Sequence, residues 1–225
     1  MMIRTQALYS CWSKAKETAT ERGFGVLLSK GLRKLASFCF ETHSAVWMEK
    51  DLNVHSEEHE VSSDYTIEFD NLKEIVDWMK TKHSDYPWMY HEKEMLVAKE
   101  FGHLVPYVKY KDNIVCYTKV ALNSVYIRDY ERIFRLAPNK AMFYDTTVLS
   151  DFRGKRLPRF LKNRIFRILR QQNIEYVYAH IEPWNIPSIK SNEGVGFRRL
   201  CINRYIRIGF AKFYSNNPSR FLSYP

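Results

Sequence analysis

The sequence predicts an α/β protein with a mixed sheet. Three observations carry this. Two alternating apolar runs follow Gly102 in hairpin order, a further strand-like run at Ala141–Leu149 passes straight into an amphipathic helix, and helix and strand then alternate towards the end. With 225 residues, 45% hydrophobic and 27% charged, the chain is long enough for one good core, or one core with a small appendage.

Residues 1–40 read as one or two basic, partly amphipathic helices, with Val26, Leu27, Lys30, Arg33, Lys34 and Leu35 near helical spacing. Gly23, Gly25 and Gly31 weaken them. Ala45–Leu52 has strand character, and His55–Asp64 is a polar, acidic connection. Residues 1–60 are therefore expected to form an extension of helix and strand packed on a core domain at 61–225. Tyr65–Phe69 alternates like a short strand. Asp70 or Asn71 then caps a helix through Lys82 that buries Leu72, Ile75, Val76 and Met79. A second helix spans His91–Phe101. One strand runs from His103 or Leu104 to Tyr110, a turn falls at Asp112–Asn113, and a second strand runs from Ile114 to about Ile127.

In the next strand Met142, Tyr144, Thr146 and Val148 alternate with Phe143, Asp145 and Thr147, so Tyr144 and Asp145 are expected on opposite faces. The helix after it reaches about Gln172 on an apolar stripe of Leu157, Leu161, Ile165, Ile168 and Leu169. A strand at Glu175–Ile181, a turn at Glu182–Asn185, a short helix over Pro187–Gly194 and a last strand at about Asn203–Phe213 complete the chain.

Charge is uneven. Residues 1–40 carry +5, residues 41–152 carry −7 and residues 153–225 carry +12, within a net +10. A basic end suits a phosphate-bearing partner, and an acidic middle suits a cationic substrate such as an amine. No apolar run approaches a membrane span, and the first residues lack the apolar block of a signal peptide, so a cytoplasmic protein is expected. Cys11, Cys39, Cys116 and Cys201 are far apart and fit reduced thiols. His55-Ser-Glu-Glu58-His59 matches H-x-x-E-H formally, but its polar surroundings give no stable helix on which to hold zinc, and no metal is expected. No nucleic-acid motif is present, so nucleic acid is not an expected partner despite the basic helix. Residues 1–40 are the segment that could touch a membrane surface, a partner or the second subunit of a dimer; packing on the core is the simpler expectation.

Between Arg153 and Arg170 lie eight basic residues and no acidic one, at a helix start. The free N–H groups and positive dipole end of a helix N-terminus make a natural pyrophosphate site. Pro158, lacking an N–H, is tolerated in the first turn.

Val148-Leu-Ser-Asp-Phe-Arg153-Gly154-Lys155 resembles the V-x-P-x-[YF]-R-G-[KR] segment of the GNAT superfamily of N-acetyltransferases. Asn185-x-x-Ser188-Ile189 followed by Gly196-Phe197 resembles that family's N-x-x-[SA]-I…G-F segment, in the right order and at a fitting separation. The resemblance covers about residues 65–213. It implies the GNAT fold, a mixed and mostly antiparallel central sheet flanked by helices, here with an N-terminal helical extension. It also implies that the strands ending at Val148 and Ile181 splay apart around the pantetheine arm of acetyl-CoA, with Thr147 and Val148 lining its path. Backbone N–H groups around Arg153, Gly154, Lys155, Arg156 and Leu157 would hold the pyrophosphate, with Pro158 beside them in the cofactor loop but without a donor, and Asn185 and Ser188 would flank the cofactor.

The sequence departs from the family at two places. Arg156 and Pro158 stand where the loop usually has small residues. Asn192 stands where many members carry a tyrosine that protonates the leaving thiolate, and asparagine cannot give up a proton at useful pH. The implied reaction is attack of a neutral amine on the thioester, which needs a base and N–H donors for the carbonyl oxygen. The backbone near Val148 is the oxyanion candidate, Asp145 the candidate base, Glu182 a comparable carboxylate, and Tyr144 a group to hydrogen-bond the acceptor. An acyl-CoA-dependent N-acyltransferase is therefore expected. The acceptor is taken to be an amine-bearing small molecule such as an amino sugar or sugar nucleotide. A protein or peptide amine is the alternative, and a degenerate acyl-CoA-binding module the reading from a different class.

Overall fold

The computed structural model describes residues 40–54, 63–69, 72–82, 85–86, 89–208 and 211–223. The basic helices before residue 40, the H-x-x-E-H stretch and the cap at Asp70 or Asn71 lie outside the described residues. The described residues fall into two compact units, a smaller one holding 40–43, 205–208 and 211–214, and a larger one holding those between 44 and 204 with 215–223.

The elements, in chain order, are β1 (Phe40–Asp51), whose first residues belong to the smaller unit, β2 (Tyr65–Glu68), α1 (Leu72–Thr81), α2 (Glu92–Glu100), β3 (Tyr107–Tyr110), β4 (Asn113–Ala121), β5 (Ser124–Ile127) and β6 (Arg132–Arg135). They continue with β7 (Lys140–Val148), α3 (Leu157–Gln171), β8 (Tyr176–Ile181), α4 (Ile186–Glu193), β9 (Arg198–Ile208) and α5 (Ser219–Leu222). The main sheet of the larger unit has the order β9-β1-β8-β7-β4-β3-β2. β1 pairs antiparallel with β8 in the middle of that sheet, and β7 and β8 are parallel. This is the mixed, mostly antiparallel sheet of the GNAT fold. In the smaller unit the end of β9 pairs antiparallel with β10 (Ala211–Tyr214), Tyr205 facing Tyr214.

Each face of the sheet carries helices for a reason visible in the apolar spacing. Leu157, Leu161, Ile165, Phe166 and Leu169 of α3 pack with Val46, Met48, Phe143, Val177 and Ala179. On the other face Ile75 and Met79 of α1 and Met95 and Ala98 of α2 pack with Tyr107, Ile114 and Tyr117. Truncating one such leucine to alanine costs about 2–5 kcal/mol, so α3 is fixed to the sheet by several contacts of that size. Among the described residues no helix is long and apolar enough to cross a membrane.

Three expectations are corrected. The strand expected over Ile114–Ile127 is two strands, because Asn123 turns left-handed (φ 65) between them, and β5 leaves to form a separate hairpin with β6. The turn between β3 and β4 is Lys111–Asp112, both at positive φ. The last strand starts earlier, at Arg198, and is two strands, β9 and β10, paired with each other.

Candidate active site

β7 and β8 are hydrogen-bonded only from Lys140↔Tyr176 to Phe143↔Ala179. Beyond Phe143, β7 continues to Val148 with β4 as its partner, while His180 and Ile181 pair with Trp47 and Val46 of β1. The two parallel strands therefore part after Phe143, as the resemblance implied, and leave backbone groups of β7 facing a gap. Leu149 N–H donates to Val115 O at 3.0 Å. Successive N–H groups of extended chain point to opposite sides, so that of Val148 is directed away from β4, on the side of β8.

A bulge re-aims the side chains at this point. Lys119 pairs with Tyr144 and Tyr117 with Thr147, two steps on β4 against three on β7, and Asp145 takes a left-handed φ of 52. The expectation of opposite faces for Tyr144 and Asp145 is overturned by this extra residue. Asp145 Oδ2 lies 2.6 Å from Lys119 Nζ and accepts from Tyr117 Oη at 3.1 Å. The same ammonium lies 5.8 Å from the centre of the Tyr144 ring. Both β7 side chains thus meet one buried cation on the α1/α2 face.

Lys119 also donates to Glu94 Oε2 at 3.2 Å and to Met89 O at 3.3 Å, which uses all three of its N–H groups. Glu94 is in turn gripped by Arg128 through Nε and through Nη2, the latter at 3.0 Å. Burial alone would push the Glu94 carboxyl up; Arg128 and Lys119 together outweigh it and hold the group below the usual glutamate range. Asp145 Oδ1 has no hydrogen-bond partner among the described residues.

Tyr144 completes the cluster. His103 Nε2 lies 2.6 Å from the Ser124 carbonyl and must donate to it, so Nδ1 accepts from Tyr144 Oη at 2.7 Å. Burial is the largest cause, with Lys119 adding to it, that lowers His103 to about 4, so the ring is neutral at neutral pH. The Tyr144 hydroxyl is pushed up, first by burial and then by Glu94 and Asp145, and keeps its proton.

At the mouth of the gap the chain makes a short 3₁₀ turn at Ser150–Phe152, then Gly154 (φ 79) and Arg156 (φ 58) before α3. Arg156 adopts the conformation a glycine would favour, at a cost of about 1–2 kcal/mol, which is how this glycine-poor loop still makes its turn. Arg153 N–H donates to Ser150 O, whereas the N–H groups of Gly154, Lys155, Arg156 and Leu157 have no partner among the described residues. Four consecutive free donors at a helix start fit a pyrophosphate. Of the expected residues the Arg153 amide is engaged within the turn, and Pro158 sits in the first turn of the helix without an N–H. Arg153, Lys155 and Arg156 are exposed, with Lys155 Nζ 4.5 Å from the Phe152 ring centre. The Arg159 guanidinium lies against Gly194, where a Cβ would stand 2.3 Å from its Cζ. That packing holds Arg159, from the first turn of α3, beside the end of α4.

The remaining predicted residues fall outside the two clusters or have structural work. Thr147 is half-buried opposite Tyr117. Asn185 caps α4, its Oδ1 accepting from Ser188 N–H at 3.2 Å, and Ser188 is half-buried in the first turn. Glu182 is exposed on the turn after β8. Asn192 is buried, donates to Ser188 O at 2.8 Å and accepts from Lys162 Nζ at 2.7 Å. Gly196 has φ 89 and Phe197 is in the core. The sequence reading missed Glu94, His103, Lys119, Arg128 and Lys162, which no short motif marks; only the pairing of β4 with β7, and α3 with α4, brings them together.

The profile of the Acetyltransferase (GNAT) family matches residues 64–197, more than half of the chain. Comparison with curated proteins finds no match. Among solved structures, a Drosophila protein aligns with TM-score 0.54 at 12% identity, over 80% of this chain and 57% of its own. A GNAT-family protein from Novosphingobium aromaticivorans gives 0.53 at 14%, over 74% and 64%. A tandem GNAT protein from the clavulanic acid biosynthesis pathway gives 0.53 at 16%, over 76% and 55%. The chain thus spans less than two thirds of the length of each of these, and at such identities the likeness is one of fold. Family match, sheet order and parting strands agree: the chain belongs to the GNAT family of acetyltransferases.

Proposed function

We propose that the protein transfers an acyl group, acetyl in the first instance, from acyl-CoA to a primary amine of a small molecule such as an amino sugar or sugar nucleotide. One observation carries the reading: the parting of β7 from β8 after Phe143, directly beside the bulged Asp145 and Tyr144. The gap has the donors such a ligand needs. Gly154–Leu157 offer four N–H groups to the pyrophosphate, and Val148 N–H is aimed at the side where a thioester oxygen would gain charge.

Asp145 serves the acceptor. Its Oδ1 is unpartnered among the described residues, and Lys119 and Tyr117 fix the carboxylate through Oδ2, so it takes a proton from the acceptor's ammonium, directly or through one water, and frees the neutral amine to attack. Tyr144, its hydrogen committed to His103, presents oxygen lone pairs that orient an amine N–H. The excess of negative charge over residues 41–152 favours a cationic acceptor. Peptide amines use the same chemistry and are the second acceptor class. Asn192 supports one other reading, an acyl-CoA-binding module without turnover, because it cannot act as an acid.

The test follows free CoA thiol from acetyl-CoA across amino sugars, sugar nucleotides, polyamines and peptides, with the product weighed by mass spectrometry. Acceptor-dependent thiol release supports the enzyme. Binding of acetyl-CoA with no turnover on any amine supports the module.

A further inference from the structure

We infer that Lys162 delivers the proton to the sulfur that departs when the acyl group is transferred. The inference rests on the acyl-transfer reading above and adds the group that would complete it on the α3/α4 face.

Lys162 is 2% exposed in the middle of α3. Its single hydrogen bond among the described residues goes to Asn192 Oδ1 at 2.7 Å. Asn192 is turned to make that contact, because its Nδ2 is tied to Ser188 O. The ammonium otherwise faces aromatic rings, 5.5 Å from the centre of Phe143 and 5.9 Å from that of Phe197. No carboxylate pairs with it among the described residues. Burying a cation with two of three donors unused is costly, and an anion arriving beside it would use them. Lys119 shows the contrast within the same sheet: equally buried, it has Asp145, Glu94 and Met89 O on its three donors.

The position of this cation gives the anion its identity. Phe143 is the last residue of β7 paired with β8. Lys162 therefore meets the sheet where the gap opens, on the face opposite to Asp145 and Tyr144. A thioester lying in the gap would be attacked from the Asp145 side and would lose its sulfur towards α3 and α4. The amine nitrogen forms a bond to the carbonyl carbon, the C–S bond breaks with its electron pair on sulfur, Lys162 gives that sulfur a proton, and the amine's own proton leaves through Asp145. Lys162 regains its proton from solvent after the thiol departs.

Burial lowers Lys162 to about 8, close to the range of an ordinary thiol at about 8.5, the match that favours proton transfer. The group that faces it from β4 is Cys116, which burial pushes up to about 12 and so leaves neutral; α4 offers Asn192, and β7 and the Gly196–Phe197 turn offer rings.

Lys162→Met tests this, beside the double variant Lys162→Leu with Asn192→Tyr, which supplies a phenol in place of the ammonium. In Lys162→Met, kcat is expected to fall about 100-fold with KM for acetyl-CoA within about threefold, and the alkaline limb of the kcat profile near pH 8 should vanish. The double variant should recover at least tenfold of that loss. Ultraviolet titration of CoA bound to the unaltered protein should show its thiol ionising at lower pH than in Lys162→Met. A Lys162→Met protein with wild-type kcat and pH profile, or bound CoA titrating alike in both, overturns the assignment and leaves the acyltransferase reading intact. Failure of the unaltered protein to bind acetyl-CoA overturns both.

Discussion

Lys119 Nζ lies 2.6 Å from Asp145 Oδ2, the lysine side chain wholly buried and the aspartate 12% exposed. The pair explains why a non-glycine residue holds φ 52 in mid-strand. The bulge costs about 1–2 kcal/mol at Asp145, and a buried cation that would otherwise lack part of its counter-charge repays it. The consequence is a carboxylate fixed by one oxygen, the other having no hydrogen-bond partner among the described residues, beside the place where β7 leaves β8.

Asp145→Asn keeps the shape and removes the proposed base. Steady-state turnover with the best acceptor is expected to fall about 100-fold, with KM for acetyl-CoA changed less than about threefold. A variant that retains turnover within about threefold would remove Asp145 from the chemistry.

Tyr144→Phe deletes the donor to His103 Nδ1 and leaves that nitrogen buried without it. Unfolding in urea should register a loss of about 1–3 kcal/mol at neutral pH. KM for the acceptor amine should rise, while acetyl-CoA affinity, measured by calorimetry, stays as it was. An unchanged acceptor KM would make the Tyr144–His103 pair purely structural.

His103 also predicts a pH dependence. Burial lowers its folded pKa to about 4 from 6.5, so the unfolded chain binds the proton first as pH falls. Stability from this group is complete above the unfolded value and declines between the two values, by roughly 3 kcal/mol in all. His103→Gln should flatten that decline in urea melts compared at about pH 7.5 and about pH 4.5. Parallel curves for the two proteins would contradict the assignment.

Gly194→Ala would put a Cβ where the Arg159 guanidinium now lies. An arginine end swings away cheaply, so the melting temperature should hold within the change of about 0.5 kcal/mol typical of surface substitutions. Acetyl-CoA should bind about tenfold more weakly, the size of one lost charge-assisted hydrogen bond. Unaltered affinity would mean that Arg159 does not reach the phosphates.

The helices were legible because their apolar residues recur at helical spacing: Leu157, Leu161, Ile165 and Leu169 of α3 are all buried. The β5–β6 hairpin was not, since alternation runs on through Asn123 and gives no sign that the chain turns there. The gap and its loop could be read from the order Val148, Arg153–Gly154, Asn185, Gly196–Phe197. The acceptor face could not. A bulge carries no motif, so strict period-2 counting sent Tyr144 and Asp145 to opposite sides. His103 meets Tyr144 across 41 residues, and Lys162 is one of eight cations in a basic run whose spacing does not say which one faces inward.

In the proposed function acyl-CoA lies between β7 and β8 with its pyrophosphate on the loop before α3. Backbone amide hydrogen exchange with and without acetyl-CoA tests it most directly. Saturable protection of the Val148 amide and of Gly154–Leu157, with little change in the β5–β6 hairpin, is the predicted result. Exchange at these amides that acetyl-CoA leaves unaltered would contradict the account.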